Sequence, residues 1–193
     1  MGFLGSIIKK IIAEGQERTF TPDFRKSEYD NYLEYMSLGG TTESWERAKQ
    51  VNNWVFKESE IEKYQRYQKE VEAVADKYFS LMVEIQKNWS VLYNLQDYTG
   101  NLARKFENMC FDDITYYKEM RSIDAKYGEK TPLNVPAFTR LAMLYEKQGK
   151  IEESVSICRE AIKLGMDEKA RLIRMIKKAG RTPTAEELSL LDN

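Results

Sequence analysis

The stretch Phe138–Ala161, FTRLAMLYEKQGKIEESVSICREA, decides the fold of this 193-residue chain. It predicts two short amphipathic helices joined by a turn at Gln148-Gly149-Lys150. Apolar and small residues recur at helical spacing along both halves, namely Phe138, Leu141, Ala142, Tyr145, Ser154, Cys158 and Ala161. We therefore expect helices over about 136–147 and 151–164, with Pro136 at the first helical position and Gly165 at the end.

The order and spacing of these seven residues resemble one tetratricopeptide (TPR) repeat, at about 136–165. The resemblance implies a helical scaffold that binds proteins or peptides in a groove lined by the first helix of each repeat. By that resemblance, the groove residues would be Thr139, Arg140, Met143, Glu146 and Lys147. The alternative is that these are ordinary solvated residues on a structural repeat. One repeat cannot bury its own apolar face, so the flanking helices must pack against it.

Two apolar seams with coiled-coil spacing precede the repeat. The first runs through Ile61, Tyr64, Gln68, Val71, Ala75, Tyr78, Met82, Ile85, Trp89 and Leu92, and the second through Leu102, Phe106, Met109, Asp113, Tyr116, Met120, Ile123 and Tyr127. Turn residues between them predict an antiparallel helical hairpin over about 57–127. The expected fold is all-α: this long hairpin packed with a C-terminal TPR-like helix pair and a capping helix. The seam could close within one chain or join two chains into a homo-oligomer.

Asp113 interrupts the second seam with a carboxylate. An isolated charge in a dry seam is costly. We therefore expect Asp113 to lie at a wet edge, or to meet a Lys, an Arg or a Tyr hydroxyl.

The predicted organisation has three parts: an amphipathic N-terminal helix at 1–15, a helical region at 16–130, and the TPR-like pair with its capping helix at 131–193. Thr21-Pro22 predicts a helix start in the second part. The first part, MGFLGSIIKKIIAEG, places six apolar residues on one face, namely Phe3, Leu4, Ile7, Ile8, Ile11 and Ile12. Three interpretations are open: this helix docks into its own domain, lies on a membrane surface, or binds a partner.

Four bases follow one face of the predicted capping helix, namely Arg171, Arg174, Lys178 and Arg181. This basic stripe is either an ordinary solvated surface or a dock for an acidic protein or for phosphates. Nucleic acid is disfavoured as a partner, because no aromatic interleaving or nucleic-acid-binding motif accompanies the bases.

The composition disfavours an enzyme. The chain has no His and only two Cys, Cys110 and Cys158, without metal-ligand spacing. We expect no catalytic residues, no metal site and no cofactor, and we expect the cysteines to be buried and reduced in a cytoplasmic protein. The sequence therefore predicts a non-catalytic interaction module for a protein or peptide partner, with a peripheral membrane scaffold anchored by residues 1–12 as the alternative.

Overall fold

The computed structural model describes residues 20–192 of the chain. Over that range the regular secondary structure is helical, apart from one isolated parallel bridge between Ser27 and Lys57, so the predicted all-α class is confirmed. The helices, numbered in chain order, are α1 (Glu28–Ser37), α2 (Thr42–Asn52), α3 (Glu60–Leu95), α4 (Asn101–Tyr127), α5 (Pro136–Lys147), α6 (Ile151–Lys163), α7 (Lys169–Lys178) and α8 (Ala185–Asp192).

The chain forms two compact units, which we call the first unit (Met1–Arg66) and the second unit (Tyr67–Asn193). The boundary lies within α3, whereas the sequence pattern predicted a division at residue 130. The difference arises because α4 shares a core with the helices that follow it.

The first unit is organised around Trp45 of α2, which is almost completely buried. The rings of Tyr35, Phe56 and Trp54 lie with their centroids 5.3, 5.5 and 5.6 Å from that of Trp45. Aromatic pairs at such distances each stabilise a fold by about 0.5–1.5 kcal/mol beyond the area they bury. A few large aromatic rings therefore form the core of the first unit.

The helix start predicted at Thr21-Pro22 is wrong, because α1 begins at Glu28 with Ser27 as its N-cap. The amide side chain of Asn31 accepts a hydrogen bond from the backbone N of Asp23 (2.7 Å) and donates one to its carbonyl oxygen (3.0 Å). These bonds satisfy the backbone of Asp23 outside a helix, so the preceding segment folds as a turn.

The predicted antiparallel hairpin is formed by α3 and α4. The Tyr67 hydroxyl donates to Asp124 at 2.9 Å, the rings of Tyr78 and Tyr117 lie 5.9 Å apart, and those of Trp89 and Phe106 lie 5.7 Å apart. The residue number falls on α4 as it rises on α3, which defines the antiparallel direction. From Tyr67 onward the seam is thus closed within one chain.

The seam is shorter than predicted at its start. Ile61 and Tyr64 are 69% and 57% exposed, and Gln68 is exposed as well. On α4 the buried face is wider than a two-stranded seam, since Ala103, Cys110 and Ile114 are buried beside it. A helix that packs against both α3 and α5 needs this broader apolar face.

Successive helices of the second unit alternate in direction and form two layers. In one layer α5 and α7 are parallel. Near the start of both helices Thr139 contacts Glu168, and near the end of both Glu146 contacts Lys178. In the other, α4 and α6 are parallel by the same criterion: Lys118 to Glu160, and Arg121 to the carbonyl of Leu164. The predicted helix pair α5–α6 lies in the middle of this array.

The last two helices repeat the spacing of the pair before them. Helix α5 begins at Pro136 and α7 at Lys169, while α6 begins at Ile151 and α8 at Ala185. Both separations are close to one TPR period, which is about 34 residues. The expected capping helix is therefore followed by another helix, α8, which contacts α6 through Glu186 and Arg159 and the start of α7 through Leu191 and Lys169. Helix α8 has eight residues and is therefore about two turns long.

Candidate partner-binding surface

The surface of α5 is shared between two neighbouring helices. All seven residues that carry the TPR resemblance are buried, so they are the core of the α5–α6 pair. The five residues that the resemblance assigned to a groove lie on the remaining face of α5. They divide into those that contact α7 and those that lie toward α3.

Thr139 and Glu146 face α7. The Thr139 hydroxyl donates to Glu168, just before α7, and Glu146 accepts hydrogen bonds from Arg174 (2.8 Å) and Lys178 (2.6 Å). Burial raises the pKa of Glu146. The hydrogen bonds from Lys178 and Arg174 lower this pKa by more than burial raises it, so the net shift is downward. These two residues hold α5 against α7 and are not open to a partner in the way the sequence predicted.

Arg140 lies toward α3. Its guanidinium carbon lies 5.5 Å from the ring centroid of Trp89, and it donates hydrogen bonds to Gln86 (3.2 Å) and to the sulfur of Met143 (3.6 Å). No carboxylate among the described residues forms an ion pair with it. Burial, and the nearby charge of Arg171, lower its pKa. Arg140 is thus a half-buried cation, preorganised on an aromatic ring, whose remaining N–H groups can bind an anion.

Lys147 lies two helical turns after Arg140, and therefore on the same face of α5. Its ammonium is 5.7 Å from the ring centroid of Tyr98. It too has no carboxylate partner within residues 20–192. Arg140 and Lys147 consequently form a pair of uncompensated cations along one edge of α5.

The predicted basic stripe is tied to acids of the same chain. Arg171 pairs with Glu168 at 2.8 Å, Arg174 and Lys178 pair with Glu146, and Arg181 binds both Glu152 and Glu187. The stripe therefore consists of paired bases, and Arg171 is only 17% exposed, whereas Arg174 and Lys178 are 53% and 50% exposed. Glu168 pairs with Arg171 at i,i+3 spacing, but the sequence did not reveal the other acids because Glu146, Glu152 and Glu187 belong to other helices.

The combined face of α5 and α7 nevertheless stays positive. It carries five bases and two acids: Arg140, Lys147, Arg171, Arg174 and Lys178 against Glu146 and Glu168. Glu146 alone serves three of the bases, since Arg171 also lies 4.0 Å from it. Exposed charge of one sign attracts and orients a partner of the opposite sign.

Two further open clefts lie near charged residues of the described part of the chain. A cleft of about 790 Å³ lies in the first unit, where its bases Arg25 and Lys26 pair with Asp23 and Glu34. A cleft of about 480 Å³ lies beside α5 and contains Thr139 and Glu168, which bind each other. Within the described residues, neither cleft brings together an acid, a base and a nucleophile in hydrogen-bonding contact.

Sequence reasoning missed Gln86 and Trp89 as partners of Arg140. They lie more than fifty positions before it in the chain, and each reads as an ordinary residue of a long helix. Their spacing of three places both on one face of α3, but nothing in the sequence tells which later residue meets that face. The apolar residues Phe3, Leu4, Ile7, Ile8, Ile11 and Ile12 lie outside the described residues.

Comparison with known proteins gives no relative. No protein-family model matches the chain, and no curated protein or solved structure is significantly similar. Among the described residues, no group of three or more Cys, Asp or Glu side chains is arranged to hold a metal ion. None of the helices between residues 20 and 192 is both long enough and apolar enough to cross a bilayer.

Proposed function

We propose that this chain is a non-catalytic helical scaffold that binds an acidic segment of another protein on the face of α5 and its neighbours. The observation that carries the proposal is Arg140, a half-buried guanidinium that the described residues leave without a carboxylate. A positive surface whose edge carries an arginine that no described carboxylate pairs favours a partner that supplies the missing anion.

The helical arrangement supports a TPR-like assignment. The starts of α7 and α8 follow those of α5 and α6 at nearly equal separations. Those separations match the period of TPR units, which is about 34 residues. Parallel helices in each of two layers are also expected of stacked hairpins. A cytoplasmic location is part of the proposal, and the free, buried thiols of Cys110 and Cys158 are in keeping with a reducing compartment.

The test is affinity capture with the full chain, comparing the natural sequence with Arg140→Glu and Arg104→Glu. Arg104 is an exposed arginine of α4, so its reversal makes the same charge change elsewhere on the second unit. We expect a protein from the native host to be retained by the natural chain and by Arg104→Glu, and reduced at least about tenfold by Arg140→Glu. Binding of the purified partner should weaken as salt rises.

Equal recovery of every bound protein with both variants would contradict the proposal. The capture is quantified by mass spectrometry, and circular dichroism of each variant checks that the helices are retained.

A further inference from the structure

Helix α3 carries an exposed apolar strip beside Arg140. Phe79, Val83 and Tyr93 are 46%, 49% and 51% exposed. Val83 precedes Gln86 by three residues, and Phe79 and Tyr93 lie seven residues before and after it. Side chains three, four or seven apart share one face of a helix, so these apolar residues flank Gln86. We call Phe79, Val83, Gln86 and Tyr93 the α3 strip.

The contacts of α5 give the α3 strip a basic edge. Arg140 donates to Gln86 within the strip, and Lys147 lies over Tyr98, just beyond the end of α3. The strip itself extends about 21 Å from Phe79 to Tyr93, at 1.5 Å per residue. The surface is therefore long, narrow and apolar, and along its side lie two cations that no carboxylate of residues 20–192 pairs.

We propose that the α3 strip, with Arg140 and Lys147, is the docking site for an acidic amphipathic helix of the partner protein. This inference rests on the proposed function and specifies the partner's chemistry. The ridge formed by Phe79, Val83 and Tyr93 has the spacing that fits into the groove of another helix. Partner carboxylates along one edge of that helix would meet Arg140 and Lys147 in charge-assisted hydrogen bonds.

A neutral apolar partner fits this surface poorly. It would cover Arg140 and Lys147 without replacing the water that solvates them, and desolvating a charge without compensation is costly. An acidic helix satisfies both parts of the surface, because its leucines or phenylalanines cover the strip while its acids pair with the cations.

The probe is a fluorescent helical peptide of about 16 residues, long enough to cover the strip. It carries Leu at i, i+4 and i+7 spacing with Glu along one edge, and its C-terminus is amidated so that no terminal carboxylate contributes. A second peptide has Lys in place of each Glu. Fluorescence anisotropy measures binding to the full chain, and the same variants are used to capture the native partner.

Val83→Asp and Val91→Asp form a matched pair. Val91 is 47% exposed on the same helix, about 140° around the axis from Gln86. We expect the acidic peptide to bind the natural chain and Val91→Asp with equal affinity. It should bind Val83→Asp and Arg140→Glu at least about tenfold more weakly. If Val83→Asp fails to fold, Val83→Ser replaces it. This variant adds no charge, and we expect it to weaken peptide binding by a smaller factor.

Three results of the peptide and self-association measurements would overturn the inference. They are equal binding of the Lys peptide, equal binding to Val83→Asp and Val91→Asp, and self-association of the chain that Val83→Asp abolishes. If the native partner is lost with Arg140→Glu but retained with Val83→Asp, the α3 strip is not the dock and the proposed function still stands. If Arg140→Glu changes nothing, the proposed function fails as well.

Discussion

At the scale of single residues, Asp113 of α4 is the most unusual side chain in the second unit. It is fully buried, and neither carboxylate oxygen has a hydrogen-bond partner among the described residues. The expectation of a wet edge or a Lys, Arg or Tyr partner is therefore wrong. The nearby Tyr78 hydroxyl donates to the carbonyl oxygen of Asn134 instead. Burial raises the pKa of Asp113 to about 7, and burial together with Asp113 raises the pKa of Tyr78 to about 12.

The raised pKa of Asp113 predicts that stability falls as pH rises. In the folded chain the carboxyl holds its proton up to about pH 7, whereas in the unfolded chain it releases it near its ordinary pKa of 3.8. Between these values the folded state binds more protons, so the free energy of unfolding decreases with pH and levels off above 7. From pH 5 to pH 8 this one group should remove about 3 kcal/mol, at about 1.4 kcal/mol per unit.

Urea denaturation of Asp113→Asn and of its exposed neighbour variant Asp112→Asn, from pH 5 to pH 8, measures this loss. The Asp113→Asn chain has no carboxyl to ionise at this position and should lack most of the decrease, while Asp112→Asn should keep it. The assignment fails if Asp113→Asn and the natural chain lose stability in parallel. Sequence spacing located Asp113 in the seam. It could not show that Asp113 lacks a hydrogen-bond partner among the described residues, because that depends on side chains of α3 and on the 131–135 linker.

At the scale of elements, the sequence predicts best where one helix repeats a strict pattern. The two seams predicted α3 and α4, and the seven-residue pattern predicted α5 and α6 almost to their ends. No strict pattern marks α8, because a helix of eight residues is held by contacts that its own sequence does not contain. The same holds for the candidate site. The sequence predicted which residues lie on the face of α5, but it did not predict which neighbouring helices cover parts of that face.

The contacts that hold α8 centre on Arg181 and Glu187. The fully buried Glu187 accepts two hydrogen bonds from Arg181, each 2.8 Å long, and a third from the backbone N of Thr184. The hydrogen bonds from Arg181 are the main cause that lowers the pKa of Glu187 to about 2. Arg181 also binds Glu152 of α6, which joins the two helices.

Arg181→Met should leave Glu187 as an uncompensated buried charge, a change that costs about 3–5 kcal/mol for buried pairs and less where water reaches the arginine. We expect the amide hydrogens of α8 to lose protection in hydrogen–deuterium exchange, with α3 unaffected. The double variant Arg181→Met with Glu187→Leu should recover much of the protection, because it removes the stranded carboxylate. If the double variant is no more protected than the single one, the ion pair does not hold α8.

At the scale of the whole molecule, α4 to α8 show how a chain with few long-range motifs builds an extended core. Helices α4 to α7 pack mainly on their neighbours in sequence, and α8 packs on α6, so local patterns carry most of the information about the fold. This explains why the all-α class and the hairpins could be predicted, whereas the division of the chain within α3 could not. That division depends on where α3 loses contact with α4, and the seam pattern continues past that point.

Neighbour-to-neighbour packing predicts that damage stays local in the second unit. Leu172 of α7 is fully buried, and Leu172→Ala should cost about 2–5 kcal/mol through the cavity it leaves. In stacked hairpins such a loss falls on the affected helices and their neighbours. Hydrogen–deuterium exchange should therefore show the largest loss of protection in α7, a smaller loss in α6 and α8, and the least in the α3–α4 hairpin.

Met120→Ala is the matched change at the other end of the second unit, because Met120 of α4 is 3% exposed. Its effect should be the reverse, with protection lost first in the part of α3 after Tyr67, in α4 and in α5, while α8 keeps its exchange rate. Opposite gradients from the two variants would establish that the second unit unfolds helix by helix. A uniform loss across α3 to α8 in both would mean that it unfolds as one cooperative block, and the stacked-hairpin interpretation would then lose its main physical consequence.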